Sequence, residues 1–275
     1  MPEGDTIFRT ARTLRLALEG RTVTRAELPR LVRPASPLVG SRVVAVESRG
    51  KNLLVHFDVG MVLHTHMKMT GSWHVYRPDE RWRKRESEMR ARIDTSDHVA
   101  VCFSAPVVRL MDDREASRDP FLAGLGPDLA AESFDADLAL ARLRTLPDRT
   151  IAEAIVDQGA MAGVGNIFKS EVLFVARVDP FAKVGDLDDG TLARVVATSR
   201  KLLLANLGSN PERRTTGGSG QRSPVWLYER DGKPCLVCGT VVTMVHHGSP
   251  PRNTFLCTTC QPPHGPRREG APGPS

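Results

Sequence analysis

Two cysteine pairs near the C-terminal end constrain the folding of this chain more than any other feature. Cys235-Leu236-Val237-Cys238 and Cys257-Thr258-Thr259-Cys260 stand with 18 residues between them. That spacing suits four thiolates arranged tetrahedrally around zinc, a closed and therefore structural site with no open position for substrate or water. Gly232, Pro234 and Gly239 supply turns around the first pair. Val241 to Val245 and Thr254 to Leu256 are rich in strand formers. A β-hairpin closed at its base by zinc is predicted, with His246 and His247 as competing donors. Disulfides or a redox pair are the alternatives. The chain shows no signal peptide, which predicts a cytoplasmic protein with reduced thiols. Cys102 lies in the apolar run Val99 to Phe103 and reads as a buried core thiol.

At 275 residues the chain is long enough for two ordinary domains and a small metal module. Its net charge is +6, with arginines clustered between Arg81 and Arg92, at Arg213-Arg214 and at Arg267-Arg268. Together with a zinc hairpin, this is the electrostatic footprint of a nucleic-acid binder. No run of 18 apolar residues is present, so no membrane-spanning helix is expected.

Residues 1–112 read mainly as β. Short strand-like runs at Arg42–Val46, Asn52–Phe57, Met61–His64, Ser72–Tyr76 and Val107–Leu110 are broken by Gly50, Gly60 and Gly71. An antiparallel sandwich or barrel follows from that pattern. One helix, about Thr6 to Glu19, precedes the strands, with Ile7, Ala11, Leu14 and Leu18 at helical spacing. Residues 113–130, with Asp119-Pro120 and Gly126-Pro127, read as a linker. From 131 to 224 the pattern is helical and then loop-like: a helix capped by Ser133, short helices near 151–156 and 167–176, a longer one near 191–206, and a Gly/Ser/Arg-rich loop. The zinc finger occupies 225–261, and 262–275 reads as a disordered tail. The fold class is therefore α+β.

The chemistry starts at Pro2. Removal of Met1 leaves a secondary amine with a pKa of roughly 7.7–8.0. Such an amine condenses with an aldehyde or sugar C1′ to an iminium, an electron sink that needs no further proton loss. Glu3 is an acid/base one residue away. A frayed, soluble terminus is the alternative. Farther on, Gly163-Val164-Gly165-Asn166 places two glycines before a helix start, where backbone N–H groups favour phosphate. A plain tight turn is the alternative there.

Pro2-Glu3-Gly4-Asp5, Arg49-Gly50-Lys51, Gln158 with Gly163-Val164-Gly165-Asn166 through Glu171, and Pro251-Arg252-Asn253-Thr254-Phe255 leading to Cys257 and Cys260-Gln261 occur in this order. Over residues 1–261 the chain thereby resembles the formamidopyrimidine-DNA glycosylase/endonuclease VIII family. The resemblance implies an N-terminal antiparallel β-sandwich with flanking helices, then a helix–two-turns–helix domain and a zinc finger. Damaged DNA would lie in the cleft between the domains. It also implies a monomeric DNA glycosylase and abasic-site lyase of base excision repair.

Carried across position by position, the resemblance makes Pro2 the nucleophile at C1′ and Glu3 the group that moves protons at the sugar. Lys51 becomes a phosphate contact and proton donor on a β-turn. Asn166 and Arg252 become backbone-phosphate grips, with zinc at Cys235, Cys238, Cys257 and Cys260 fixing the hairpin that carries Arg252. Met69, within Lys68-Met69-Thr70-Gly71, becomes the wedge that fills the stack when the base is flipped out. Gly4-Asp5 resembles the endonuclease VIII branch, which acts on oxidised pyrimidines. The stretch Asp112-Asp113-Arg114 lacks the phenylalanine that the 8-oxoguanine branch carries there. An 8-oxoguanine/formamidopyrimidine glycosylase and a non-catalytic DNA-binding relative are the rival readings.

Overall fold

Each glycine-broken apolar run before residue 112 becomes a strand in the computed structural model, which describes residues 2–208, 210, 212–217 and 223–264. The chain divides into two compact units between Gly124 and Leu125.

The first unit opens with α1 (Gly4–Leu18), followed by β1 (Arg25–Glu27), β2 (Val43–Arg49), β3 (Asn52–Phe57), β4 (Met61–His66), β5 (Ser72–Tyr76), β6 (Met89–Asp94), β7 (Val99–Phe103) and β8 (Val107–Asp112). Two four-stranded antiparallel sheets form, in the orders β2-β3-β4-β8 and β1-β6-β7-β5. Val46, Leu53, Val55 and Leu63 of one sheet and Ala91, Ile93, Ala100 and Cys102 of the other share a single core with Ile7, Leu14 and Leu18 of α1. This is the expected sandwich, held by alternation of side chains along each strand. β7 is buried throughout because its other face carries Val99, Val101 and Phe103 into a second cluster with Tyr76, Met89 and Trp82.

Two features differ from the sequence expectation. Residues 113–123 are not a bare linker: they form α2 (Asp113–Arg118) and α3 (Pro120–Ala123). These helices are too short for periodicity to reveal and are set by caps. Asp112 and Glu115 make a reciprocal capping box, and Asp119 accepts from Leu122 N at 3.0 Å. The second feature is β6, which lies inside the charged stretch ending at Arg92. Its residues Ala91 and Ile93 face the shared core, Met89 lies across a register shift and packs into the outer cluster, and Arg90 and Arg92 stay partly exposed.

The second unit contains α4 (Ala136–Arg144), α5 (Ile151–Ala154), α6 (Asn166–Val175) and α7 (Asp189–Leu204), packed around Ile155, Met161, Phe168, Leu173 and Val195. Asp135, not Ser133, caps α4, accepting from Leu138 N at 2.8 Å. A hairpin of β9 (Thr243–His247) and β10 (Arg252–Leu256) follows. It joins the helices through a cluster of Phe174, Leu227, Val242 and Phe255. Met1, and the part of the expected disordered tail beyond His264, lie outside the described residues.

Candidate functional site

In the first unit the expected catalytic residues converge on one end of the sandwich. Glu3 is fully buried just ahead of α1, and its carbonyl accepts the first helical bond from Ile7 N at 3.0 Å. At the other end of α1, Arg15 Nη2 donates to Val46 O at 2.6 Å and Gly20 N to Val43 O at 2.8 Å. The helix therefore runs antiparallel to β2. From Arg15 back to Glu3 is about 18 Å of helix. From Val46 forward to Lys51 is about 16 Å of strand. Pro2 and Glu3 are thus carried to the end where β2 turns into β3.

That turn is a two-residue loop, Gly50-Lys51, with Arg49 paired to Asn52. Gly50 has φ +58°, which such a tight hairpin requires and glycine accepts without strain. Asn52 braces it: Nδ2 donates to Arg49 O at 3.0 Å, and Oδ1 lies 2.9 Å from His64 Nε2. Burial, followed by the charges of Arg109 and His66, pushes the His64 pKa down to about 4. Burial, followed by Lys51 and Lys68, does the same to His66. Both rings are neutral at pH 7, and Lys51 and Lys68 share one neighbourhood.

The adjacent turn joins β4 to β5. Met69 at its tip is 64% exposed, unusual for a large apolar side chain. Gly71 cannot be replaced without movement: a Cβ there would lie 2.7 Å from Met67 Cα and 2.9 Å from Ala105 Cα. Gly71 N donates to Met67 O at 2.8 Å, and Thr70 Oγ1 to Ser104 O at 2.9 Å. The turn is rigid and its tip is free.

The second unit carries the phosphate-binding candidates. Asn166 is the first residue of α6, 8% exposed, and its Oδ1 has no partner among the described residues. Gln158 stitches the approach to it. Gln158 Nε2 donates to Val156 O and Val164 O at 2.8 and 3.0 Å, and Oε1 accepts from Gly163 N at 3.1 Å. One turn along α6, Lys169 is 2% exposed, and its Nζ donates to Asn253 O and Thr254 Oγ1, each at 2.9 Å. Ser170 Oγ accepts from Phe255 N at 3.3 Å. These bonds fasten α6 to β10, so Asn166 and the exposed Arg252 at the start of β10 are held on one rigid frame. Glu171 is buried and accepts from Thr215 Oγ1 and from the backbone N–H groups of Trp226, Leu227 and Tyr228. Burial pushes its pKa up, and those four donors oppose the rise. Asn52, His64 and Lys169 were not singled out from sequence.

The four cysteine sulfurs lie within 4.8 Å of one another. Cys238 and Cys257 are 3.4 Å apart and Cys235 and Cys260 3.9 Å. Four sulfurs about 2.3 Å from a tetrahedral zinc stand about 3.8 Å apart, so the set fits zinc and excludes disulfides. Gln261 joins this knuckle to the helices. Oε1 accepts from Cys257 N at 3.1 Å, and Nε2 donates to Val178 O at 3.0 Å. His246 and His247 are not in the set; His247 Nε2 instead lies 2.8 Å from Thr150 Oγ1.

Comparison with known proteins gives a consistent result. Residues 1–118 match the formamidopyrimidine-DNA glycosylase N-terminal domain, 125–213 its H2TH domain, and 232–263 the zinc finger found in FPG and IleRS. The chain is 40% identical to a probable endonuclease 8 2 of Streptomyces coelicolor, covering 99% of this chain and 98% of that one. It is 38% identical to the DNA-(apurinic or apyrimidinic site) lyase Nei2 of Mycolicibacterium smegmatis, over 95% and 99% of the two chains. Among solved structures, the Lactococcus lactis Fpg complex with N7-benzyl-Fapy-dG-containing DNA superposes with a TM-score of 0.79. That match is at 20% identity and covers 95% of this chain and all of the other.

Proposed function

The chain belongs to the formamidopyrimidine-DNA glycosylase/endonuclease VIII family, and we propose from that premise that it is a bifunctional DNA glycosylase and abasic-site lyase of base excision repair. The observation that carries the reading is the convergence of Pro2, buried Glu3 and the Gly50-Lys51 turn on one end of the sandwich.

In this reading the Pro2 amine attacks C1′ of the damaged nucleotide. The C1′–N bond breaks, and the base leaves with its electron pair and takes up a proton. Glu3 handles the proton at the sugar ring oxygen as the ring opens, giving the iminium. Loss of the 2′ proton then expels the 3′ phosphate. A second elimination expels the 5′ phosphate, and water hydrolyses the iminium to restore Pro2. Lys51 contacts phosphate beside the reacting sugar and donates a proton. Asn166 and Arg252 hold the backbone, the latter through a planar guanidinium that suits phosphate oxygens. Met69 enters the gap left by the flipped base. Zinc, when bound by the four cysteines, supplies rigidity to the Arg252 hairpin and takes no chemical step.

Oxidised pyrimidines are the proposed lesion class. Gly4-Asp5 follows the endonuclease VIII pattern. The stretch that probes the opposite strand in 8-oxoguanine enzymes folds here as the start of α2, with Asp112 and Glu115 committed to its capping box. Among the described residues no helix is long and apolar enough to cross a membrane. The proposed place of action is the nucleoid.

Borohydride trapping on duplexes carrying an abasic site, dihydrouracil, or 8-oxoguanine opposite cytosine tests this. Pro2→Gly and Glu3→Gln variants and mass confirmation of Met1 removal accompany it. An adduct on dihydrouracil that weakens in the variants is expected. Strong trapping on 8-oxoguanine instead would move the protein to the other branch. No adduct on any DNA would leave a non-catalytic relative.

A further inference from the structure

The basic segment between β5 and β6 is anchored, and the anchoring gives it a direction. Trp82 docks on the outer face of the β1-β6-β7-β5 sheet, stacked on Tyr76 with ring centroids 6.3 Å apart and edge-on to Phe103 at 5.6 Å. The Arg92 guanidinium sits 5.3 Å over the Trp82 ring, and Arg83 N donates to Tyr76 Oη at 3.2 Å. The segment leaves the sheet at Tyr76, opposite Val99, and re-enters at Met89, opposite Phe103, which also pairs Ser72. It therefore travels back along β5 by four residues, about 13 Å, toward the Met69 turn. Its last residue reaches that turn through one intermediary. Ser104 N donates to Glu88 O at 2.8 Å, and Thr70 Oγ1 donates to the same serine's carbonyl.

Residues 77–88 carry five cations against four carboxylates, Asp79, Glu80, Glu86 and Glu88. Glu80 and Glu88 are used inside the segment, accepting from Arg77 N at 2.9 Å and from Ser104 Oγ at 3.4 Å. Arg81, Arg83, Lys84 and Arg85 have no carboxylate partner among the described residues. Burial lowers the His74 pKa, and the charges of Lys84 and Arg83 lower it further, which places both cations over β5. Four cations without an ion pair, on a fixed frame beside an exposed apolar tip, remain free to meet phosphate oxygens although the segment as a whole carries only one net positive charge.

We propose that the Trp82-anchored segment 77–88 is a second DNA-backbone contact, gripping the phosphates that flank the nucleotide gap filled by Met69. The proposal rests on the DNA-repair reading above and adds to it a contact independent of lesion and sequence. Each phosphate it neutralises contributes about 0.9 to the slope of log affinity against log salt.

The test replaces Arg81, Arg83, Lys84 and Arg85 together with serine. A companion variant changes the three arginines to lysine and so keeps the charge. Affinity for an undamaged duplex is measured across a salt series, and borohydride trapping on an abasic duplex is measured at saturating DNA. If two to four of the cations meet phosphate, the serine variant loses about 2–3.5 in slope and binds roughly 10–100-fold more weakly at low salt. The lysine variant stays near wild type, and trapping at saturation is unchanged in both. An unchanged affinity and slope in a serine variant that still traps would overturn the proposal. Absence of trapping by the wild-type chain would strike the glycosylase reading instead, and the salt slopes would still judge the segment.

Discussion

The two units hold their functional side chains by different means. In the first, Lys51 rides on a hairpin turn and Met69 on the connection between the two sheets, both positioned by the backbone ladders on either side and a shared apolar core. In the second, Asn166 and Arg252 depend on a few polar side chains, the half-buried Gln158 and the buried Lys169, Glu171 and Gln261. A ladder spreads its load over many bonds, so a side chain at a turn can change without disturbing its frame. A buried polar staple concentrates the load, because removing one partner strands the other without water. Mutations in the first unit should separate chemistry from stability. Mutations in the second should lose both together.

Zinc removal should have the largest effect. Structural zinc contributes about 10–16 kcal/mol to small finger domains at neutral pH. Chelation should melt the 232–264 region and abolish DNA binding. The β-sandwich should keep its own melting transition, followed by calorimetry; a single shared loss of both would break the contrast. Next comes Glu3→Gln, which should lower single-turnover base excision by about 10²–10⁴-fold with the melting temperature nearly unchanged.

Lys169→Met should cost about 1–3 kcal/mol of stability by stranding Asn253 O and Thr254 Oγ1, and weaken DNA affinity through the loosened Arg252 hairpin. Lys169→Arg should recover part of both. A variant that loses affinity at unchanged stability would contradict the staple account. Smaller again is the pH response of the sandwich. His64 and His66 have folded pKa values near 4 against about 6.5 unfolded, so the unfolded chain takes up protons first. Stability should be constant above about pH 6.5 and decline toward pH 4, on the order of 1 kcal/mol per ring after screening. A melting series in which His64→Gln shows the same decline would remove His64 from the account. The smallest effect on folding belongs to Met69→Ala, within about 0.5 kcal/mol. It should still reduce excision from duplex more than cleavage at a preformed abasic site, read by comparing the two substrates.

What was legible in the sequence follows the same division. The cysteine spacing, the glycine-broken strands and the helical spacing of Ile7, Ala11, Leu14 and Leu18 are local signals, and the zinc knuckle, the sandwich and α1 followed from them. Residues 113–123 were opaque because their two helices are decided by caps at Asp112 and Asp119 and not by an apolar repeat. β6 was hidden because Arg90 and Arg92 dominate its composition and a register shift between Met89 and Ala91 breaks its alternation. Nothing local in the sequence separates Lys169 from a solvent-facing helix lysine. Only contact with a strand 84 residues away reveals it as interior. Asn52 and His64 were silent for the same reason: a hydrogen bond between neighbouring strands leaves no pattern in either one.

The Gln261 staple also sets an order of manufacture. The core of the sandwich is built from residues before 124 and can close while synthesis continues, as N-terminal domains generally do. The α6 frame is complete only after Thr254, Cys260 and Gln261 have been made and the metal captured. During translation, the half that carries the proposed reactive groups therefore precedes the half that carries the proposed Asn166 and Arg252 contacts. A nascent chain bearing the amine and the carboxylate still lacks the Asn166 and Arg252 phosphate contacts proposed above, and metal capture becomes the last checkpoint before they are in place.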